Sequence, residues 1–180
     1  MIRPVDLGIC RGYEYEGDES RVALVLPGAM LAGMPANAFA IHPLTARGWR
    51  VVQVWDEFLD RTQNAQQWAT DRLDAAHRFA GDPQRMLVVG KSLSSLTAET
   101  VSERKWPAVW LTPLLFELPV PARPAHALMV GGTEDPAWDG GLAGRHAQVI
   151  VEVPGADHGL ARPDDAVAVA RAVAAFVDAL

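Results

Sequence analysis

The stretch Met86-Leu87-Val88-Val89-Gly90-Lys91-Ser92-Leu93-Ser94-Ser95 decides how this chain folds. Its apolar run is too short for a helix and reads as a strand buried on both faces. The run stops at Gly90. A serine follows two residues later, and a helix-compatible stretch begins at Ser94. This is the pattern of a strand turning sharply into a helix, with Ser92 at the apex. The rest of the chain reads as a frame for that serine.

Working outward, the same kind of strand recurs. Val22-Ala23-Leu24-Val25-Leu26 is stopped by Pro27-Gly28-Ala29, and Val51–Trp55 follows. Beyond the central stretch come Ala108–Leu111, ended by Thr112-Pro113, then Ala127–Val130, which runs into Gly131-Gly132-Thr133-Glu134-Asp135. Val149–Val153 is the last, with Pro154-Gly155-Ala156-Asp157-His158-Gly159 after it. Helical patterns lie between. Residues 35–47 should be kinked or split at Pro43. Ala69, Leu73, Ala76 and Ala80 form a stripe ended by Gly81-Asp82-Pro83. A helix over Ser94–Arg104 and a short, glycine-weakened one over 138–146 follow. Pro163, Asp164 and Asp165 open a last helix with a stripe of Val169, Val173, Phe176, Val177 and Leu180. Near the N-terminus, Leu7–Cys10 and Tyr13–Tyr15 read as short strands joined through Arg11-Gly12, with Gly17–Ser20 as the next turn. Residues 113–124 are proline-rich and read as a loop. Alternating helices and doubly buried strands predict a mostly parallel sheet with helices on both faces, in one α/β domain over 1–180. No connection is long enough for a cap domain, so the top of the sheet should be open.

The totals narrow the function. At 180 residues, 49% of them hydrophobic, the chain can build a core without staples. Its single cysteine, Cys10, excludes an internal disulfide and a Cys-rich zinc site. Sixteen Lys and Arg against 22 Asp and Glu give a net charge of −6, with no basic cluster. That argues against nucleic acid or a polybasic membrane contact as partner. No basic-then-apolar leader and no apolar run of about 18 residues is seen, so a soluble cytoplasmic protein is expected. There is no His-Glu-x-x-His, no Gly-x-Gly-x-x-Gly and no Walker loop. Neither a metal nor a cofactor is expected, and the anticipated partner is a small-molecule substrate.

In open parallel sheets, sites form beyond the carboxyl ends of the strands. Ser92, Asp135 and His158 each follow such an end. A serine hydroxyl is a weak nucleophile and needs a base; histidine suits that near neutral pH. The histidine needs a carboxylate to fix its tautomer and stabilise its charged form. A developing oxyanion needs donors. The Leu93 N–H, opening a helix, is one, and Ala29 N–H is the first choice for the second, with Met30 next.

Each residue has a plainer reading. A serine at a strand–helix turn is often only a cap. What lifts Ser92 above that is its place after the third buried strand, with partners in order. His126 and His146 open strands at the wrong end of the sheet, His77 lies on a helix, and His42 sits in a helical stretch. For the acid, Glu134 should point away from the site, Asp157 reads as a turn residue, Asp139 lies further on, and Asp56 past Val51–Trp55 is the reserve. Lys91 reads as solvated or ion-paired; the sharper alternative is that its charge attracts an anionic substrate. Trp138 and Trp110 could line an acyl pocket or simply pack, and Met30 and Leu114 are possible walls.

Small-x-Ser-x-small after a strand and before a helix resembles the nucleophile elbow of α/β-hydrolases. The order Ser92, Asp135, His158 matches that superfamily's order, and Gly28-Ala29 sits where its oxyanion loop sits. The resemblance covers roughly residues 20–180 and is closest to compact, lidless members of the dienelactone-hydrolase-like kind. Two positions depart from the pattern: Ser94 stands where glycine is usual, and Pro27 where histidine often precedes the oxyanion loop. The resemblance implies a single-domain α/β-hydrolase fold without a cap, and a serine esterase or related acyl hydrolase. The same residues would allow acyl transfer to an alcohol or thiol. A non-catalytic binding protein of this fold would be expected to lack one of the three.

Overall fold

The computed structural model describes residues 1–119 and 125–180. Eight strands form one sheet: β1 (Ile2–Asp6), β2 (Arg11–Tyr15), β3 (Asp18–Leu26), β4 (Trp49–Trp55), β5 (Arg85–Lys91), β6 (Ala108–Leu111), β7 (Ala125–Gly132) and β8 (Ala147–Val153), in the order β1-β2-β4-β3-β5-β6-β7-β8. β3 to β8 run parallel, while β2 pairs antiparallel with both β1 and β4. From β3 the chain moves one way to β4, then crosses to the other side for β5. The carboxyl ends of β3 and β5 therefore flank the point where the winding reverses, the place such sheets bind ligands. One mostly parallel sheet with helices on both faces is the α/β-hydrolase arrangement expected, and the described residues contain no cap domain.

The unbroken apolar runs explain the strands. Val22 to Leu26 are all without solvent exposure, because both sheet faces are covered. On one face α1 (Ala36–Ala46) and α5 (Pro163–Asp178) pack Ala40, Leu44, Val169 and Val173 against Ala23, Val25, Val51, Leu87 and Val109. On the other, α2 (Ala65–Ala80) and α3 (Ala98–Glu103) pack Leu73, Ala76 and Val101 against Val22, Leu24, Val52 and Val88. Each fully buried valine or leucine side chain stabilises this core by about 1.5–3 kcal/mol.

Several elements differ from the sequence expectation. Leu7–Cys10 is not a strand but the turn joining β1 to β2. Asp6 captures the Gly8 amide at 2.8 Å, and Gly8 takes a φ of +88°, which glycine adopts without strain. Asp18–Ser20 is not a turn but the start of β3. Gly17 lies so close to Trp49 and Arg50 that a Cβ there would come within 2.3 Å of their backbone. Its role is close approach. α1 runs through Pro43 as one helix, because Ala36, Ala40, Ile41 and Leu44 are all buried and tertiary packing outweighs the missing hydrogen bond. The helix expected over Ser94–Arg104 begins as a 3-10 turn, Ser92–Thr97, before α3. There Thr97 Oγ1 donates to the Ser94 carbonyl and Ser95 Oγ accepts from the Leu114 amide, so hydroxyls compete with helical geometry. The helix expected over 138–146 shrinks to α4 (Gly140–Ala143), capped by Asp139. In the proline-rich stretch Leu115–Glu117 forms a 3-10 turn; residues 120–124 of that loop lie outside the described residues.

Among the described residues, the connections at the carboxyl edge hold only 3-10 turns and loops before the next α-helix begins. No helix among them is long and apolar enough to cross a membrane.

Candidate active site

Ser92 sits at the apex between β5 and the 3-10 turn, with a φ of +49°, left-handed for a residue that carries a side chain. Such strain is held by its surroundings. Gly90 supplies part of the hold: a Cβ there would lie 2.5 Å from Trp110 Cζ3, so only glycine lets the indole pack under the elbow. Ser94 Oγ donates to the Pro27 carbonyl, tying the elbow to the loop after β3. A glycine at 94 would lack that bond.

Three side chains from three strand ends meet. His158 Nε2 lies 2.8 Å from Ser92 Oγ, and His158 Nδ1 lies 2.8 Å from Asp135 Oδ2. The Asp135 side chain is almost wholly buried while that of His158 is 39% exposed. An ionised carboxylate only accepts, so the Nδ1 proton must point at Asp135. That leaves the Nε2 lone pair to accept from the serine hydroxyl. Asp135 is itself oriented by the Ala137 amide, which donates to Oδ1 at 2.9 Å.

The loops carrying Asp135 and His158 are pressed together. Glu134 N donates to Ala156 O at 2.9 Å, and Gly155 N donates to Thr133 Oγ1 at 2.8 Å. A Cβ on Gly132 would lie 2.0 Å from the Ala156 carbonyl oxygen, so glycine is required for this approach. Asp157 Oδ1 accepts from Gly159 N at 2.8 Å, the turn-stabilising geometry expected of it. Asp56, the reserve acid, is instead paired with Arg72 at 2.8 Å.

The loop after β3 is shaped by residues in left-handed conformation, Leu31, Ala32 and Gly33. Asn37 holds it from beneath, donating to the carbonyls of Leu26 and Ala32 at 2.9 and 3.0 Å. Phe58 N donates to Ala29 O at 2.9 Å, and Glu57 accepts from Leu31 N at 2.6 Å. The amides of Ala29 and Met30 have no acceptor among the described residues. Leu93 N lies at the start of a helical turn, where N–H groups lack intrahelical partners. Ala29, Leu93 and Leu114 share one apolar cluster with Phe58 and Trp68, which brings the two proposed donor segments together.

Other expected site residues lie elsewhere. Trp138 stacks on Gly131, and its indole N–H donates to Glu152 at 2.9 Å, so it packs on the sheet and does not wall a pocket over Ser92. Trp110 is buried beneath the elbow; it lines a cavity of about 240 Å³ with Val101, Trp106, Met129 and His146, none of which meets Ser92. Lys91 is not solvated, and no salt bridge holds it among the described residues. It is 6% exposed, and its ammonium donates to Thr112 Oγ1 and, at 2.6 Å, to His158 O. Met30 is exposed, as are Leu31, Leu59 and Phe116. Sequence reasoning passed over Thr112 and Asn37. A polar residue placed directly after a buried strand, on the carboxyl edge, was the available signal for Thr112.

No known family model matches the chain, and no curated protein matches it in sequence. Solved structures do match along its whole length. A dienelactone hydrolase from Anabaena variabilis superposes with a TM-score of 0.73 at 17% identity, covering 99% of this chain and 96% of that one. A lidless α/β serine hydrolase from Xanthomonas campestris gives 0.74 at 11% identity, covering 99% and 94%. The esterase domain of a Rhodothermus marinus protein gives 0.69 at 16% identity, covering 98% of each. The chain is similar to these in fold.

Proposed function

We propose that the chain is a serine hydrolase that cleaves a small carboxyl ester or related acyl compound through an acyl-enzyme on Ser92. The observation that carries this reading is the unbroken relay Asp135–His158–Ser92, with both links at 2.8 Å. Ser92 Oγ attacks the ester carbonyl while His158 Nε2 takes its proton. The negative oxygen that forms is held by the amides of Leu93 and Ala29, with Met30 as the alternative. His158 then gives its proton to the departing alcohol, leaving the acyl group on Ser92. Water attacks next, surrendering a proton to His158, and collapse returns that proton to Ser92 Oγ and frees the acid. Asp135 keeps the imidazole in the required tautomer and stabilises its charged form without itself taking a proton.

The apolar cluster of Phe58, Trp68, Leu93 and Leu114 beside the nucleophile supports an apolar acyl group, and the 39% exposed side chain of His158 supports a substrate approached from solvent. Ser92→Ala is the test. Purified wild type should hydrolyse members of an ester panel and label with a fluorophosphonate probe. The variant should keep its melting temperature and lose both. Undiminished hydrolysis by the variant refutes the proposal.

A further inference from the structure

We infer that Lys91 and Thr112 form a clamp that positions the general base, holding the backbone carbonyl of His158 and with it the height of the imidazole over Ser92. This rests on the proposed role of His158. The carbonyl oxygen of His158 accepts from Lys91 Nζ at 2.6 Å and from Thr112 Oγ1 at 3.2 Å, and Lys91 also donates to Thr112 Oγ1. Both lone pairs of that carbonyl are thereby engaged, and the three groups close a triangle. Thr112 has no solvent exposure and a left-handed φ of +42°, and Lys91 is nearly as buried. Strained, buried polar groups of this kind persist where the surroundings over-determine them.

The anchors are rigid. Lys91 ends β5, and it pairs in the sheet with Leu111, the neighbour of Thr112. The clamp is thus built on two adjacent hydrogen-bonded strands, whereas its load is a loop between Gly155 and Gly159 whose histidine is partly exposed. Packing alone does not account for a lysine here, since methionine has similar length and no charge to desolvate. The stem of Lys91 runs against Gly28, where a Cβ would sit 3.2 Å from its Cγ. Its charge is faced by Asp135 from the loop after β7 and by Asp157 from the His158 loop, neither in direct contact. Burial pushes the Lys91 ammonium down to about 8, against the pull of those two carboxylates. Below that pH the bond to His158 O is charge-assisted; above it a neutral amine keeps N–H donors but loses the assistance.

A misplacement of about 1 Å at a reacting group costs on the order of 100-fold in rate. The test compares wild type, Lys91→Met, Thr112→Val and Thr112→Ser on a short-chain p-nitrophenyl ester from about pH 6 to 10, beside Ser92→Ala and thermal melts. Lys91→Met should lower kcat by about 10- to 100-fold with KM within about twofold. Wild-type kcat should fall through about pH 8, and that step should vanish in Lys91→Met. Thr112→Val should lose kcat and Thr112→Ser should recover it. Wild-type kcat and pH profile in Lys91→Met overturn the clamp, as does equal turnover in Thr112→Val and Thr112→Ser. If Lys91→Met does not fold, the Thr112 pair and the wild-type pH step decide alone. Turnover that survives Ser92→Ala would instead refute the hydrolase proposal, so the two failures are distinguishable.

Discussion

Replacing Lys91 by methionine should change how stability responds to pH, by an amount the structure sets. In the unfolded chain lysine holds its proton up to about 10.5, whereas burial in the fold pushes this down to about 8. Between those values the unfolded chain binds more protons than the native one. Native stability therefore rises as pH increases through the window, because a buried ammonium is being relieved of its charge. Each pH unit across it is worth about 1.4 kcal/mol, so the full gain is about 3 kcal/mol. Methionine has no such gain. The loss of the bonds to His158 O and Thr112 Oγ1 adds an offset, but one with little dependence on pH. Urea unfolding of both proteins at about pH 7, 8.5 and 10.5 measures this. The stability of Lys91→Met relative to wild type should fall by about 3 kcal/mol from the lowest pH to the highest. Tyrosines and the other lysine titrate in both proteins and cancel. A relative stability that stays constant to within about 1 kcal/mol would refute the reasoning, because it would mean that Lys91 is not desolvated as its position requires.

Two further substitutions probe the frame. Asp135→Asn should lower kcat by about 10⁴-fold with a small change in melting temperature, because an amide donor facing Nδ1 forces the proton onto Nε2, where it can no longer accept from Ser92; steady-state ester hydrolysis measures this, and full activity would move the acid to another residue. Gly90→Ala places a Cβ 2.5 Å from Trp110 Cζ3 and should cost about 1–3 kcal/mol in thermal unfolding, an unchanged melt meaning that the indole has room to shift.

Much of this molecule is legible from local pattern. Runs such as Val22–Leu26 and Met86–Val89 announce doubly buried strands because no polar side chain interrupts them, and Pro163-Asp164-Asp165 marks the start of α5. The spacing of Ser92, Asp135 and His158 follows from the strand order alone, since each lies just past a carboxyl end. What local pattern hides is whatever depends on a neighbour far along the chain. The indole of Trp138 lies on Gly131 because glycine leaves a flat surface there and Glu152, from β8, accepts its N–H. Lys91 turns inward because Thr112 and His158, 21 and 67 residues away, offer the acceptors. At the N-terminus the strand and turn were exchanged, since the Asp6–Gly8 bond and the tight approach of Gly17 to β4 outweigh residue preference. Pro43 failed to break α1 for the same reason: packing of its buried face outweighs a local cost.

The placement of His158 beyond β8 has a consequence for how the protein comes into being. β8 is an edge strand with a single neighbour, β7. A ribosome delivers Ser92 well before the segment that bears His158, and a domain folds as a unit. The nascent chain therefore carries Ser92 without its partner histidine until β8 docks and, on the inferred clamp, its loop is caught by Lys91 and Thr112. In the proposed reading, chemical competence waits on the docking of β8. A chain whose edge came loose at β8 would lose that competence even with β3 and β5 in place.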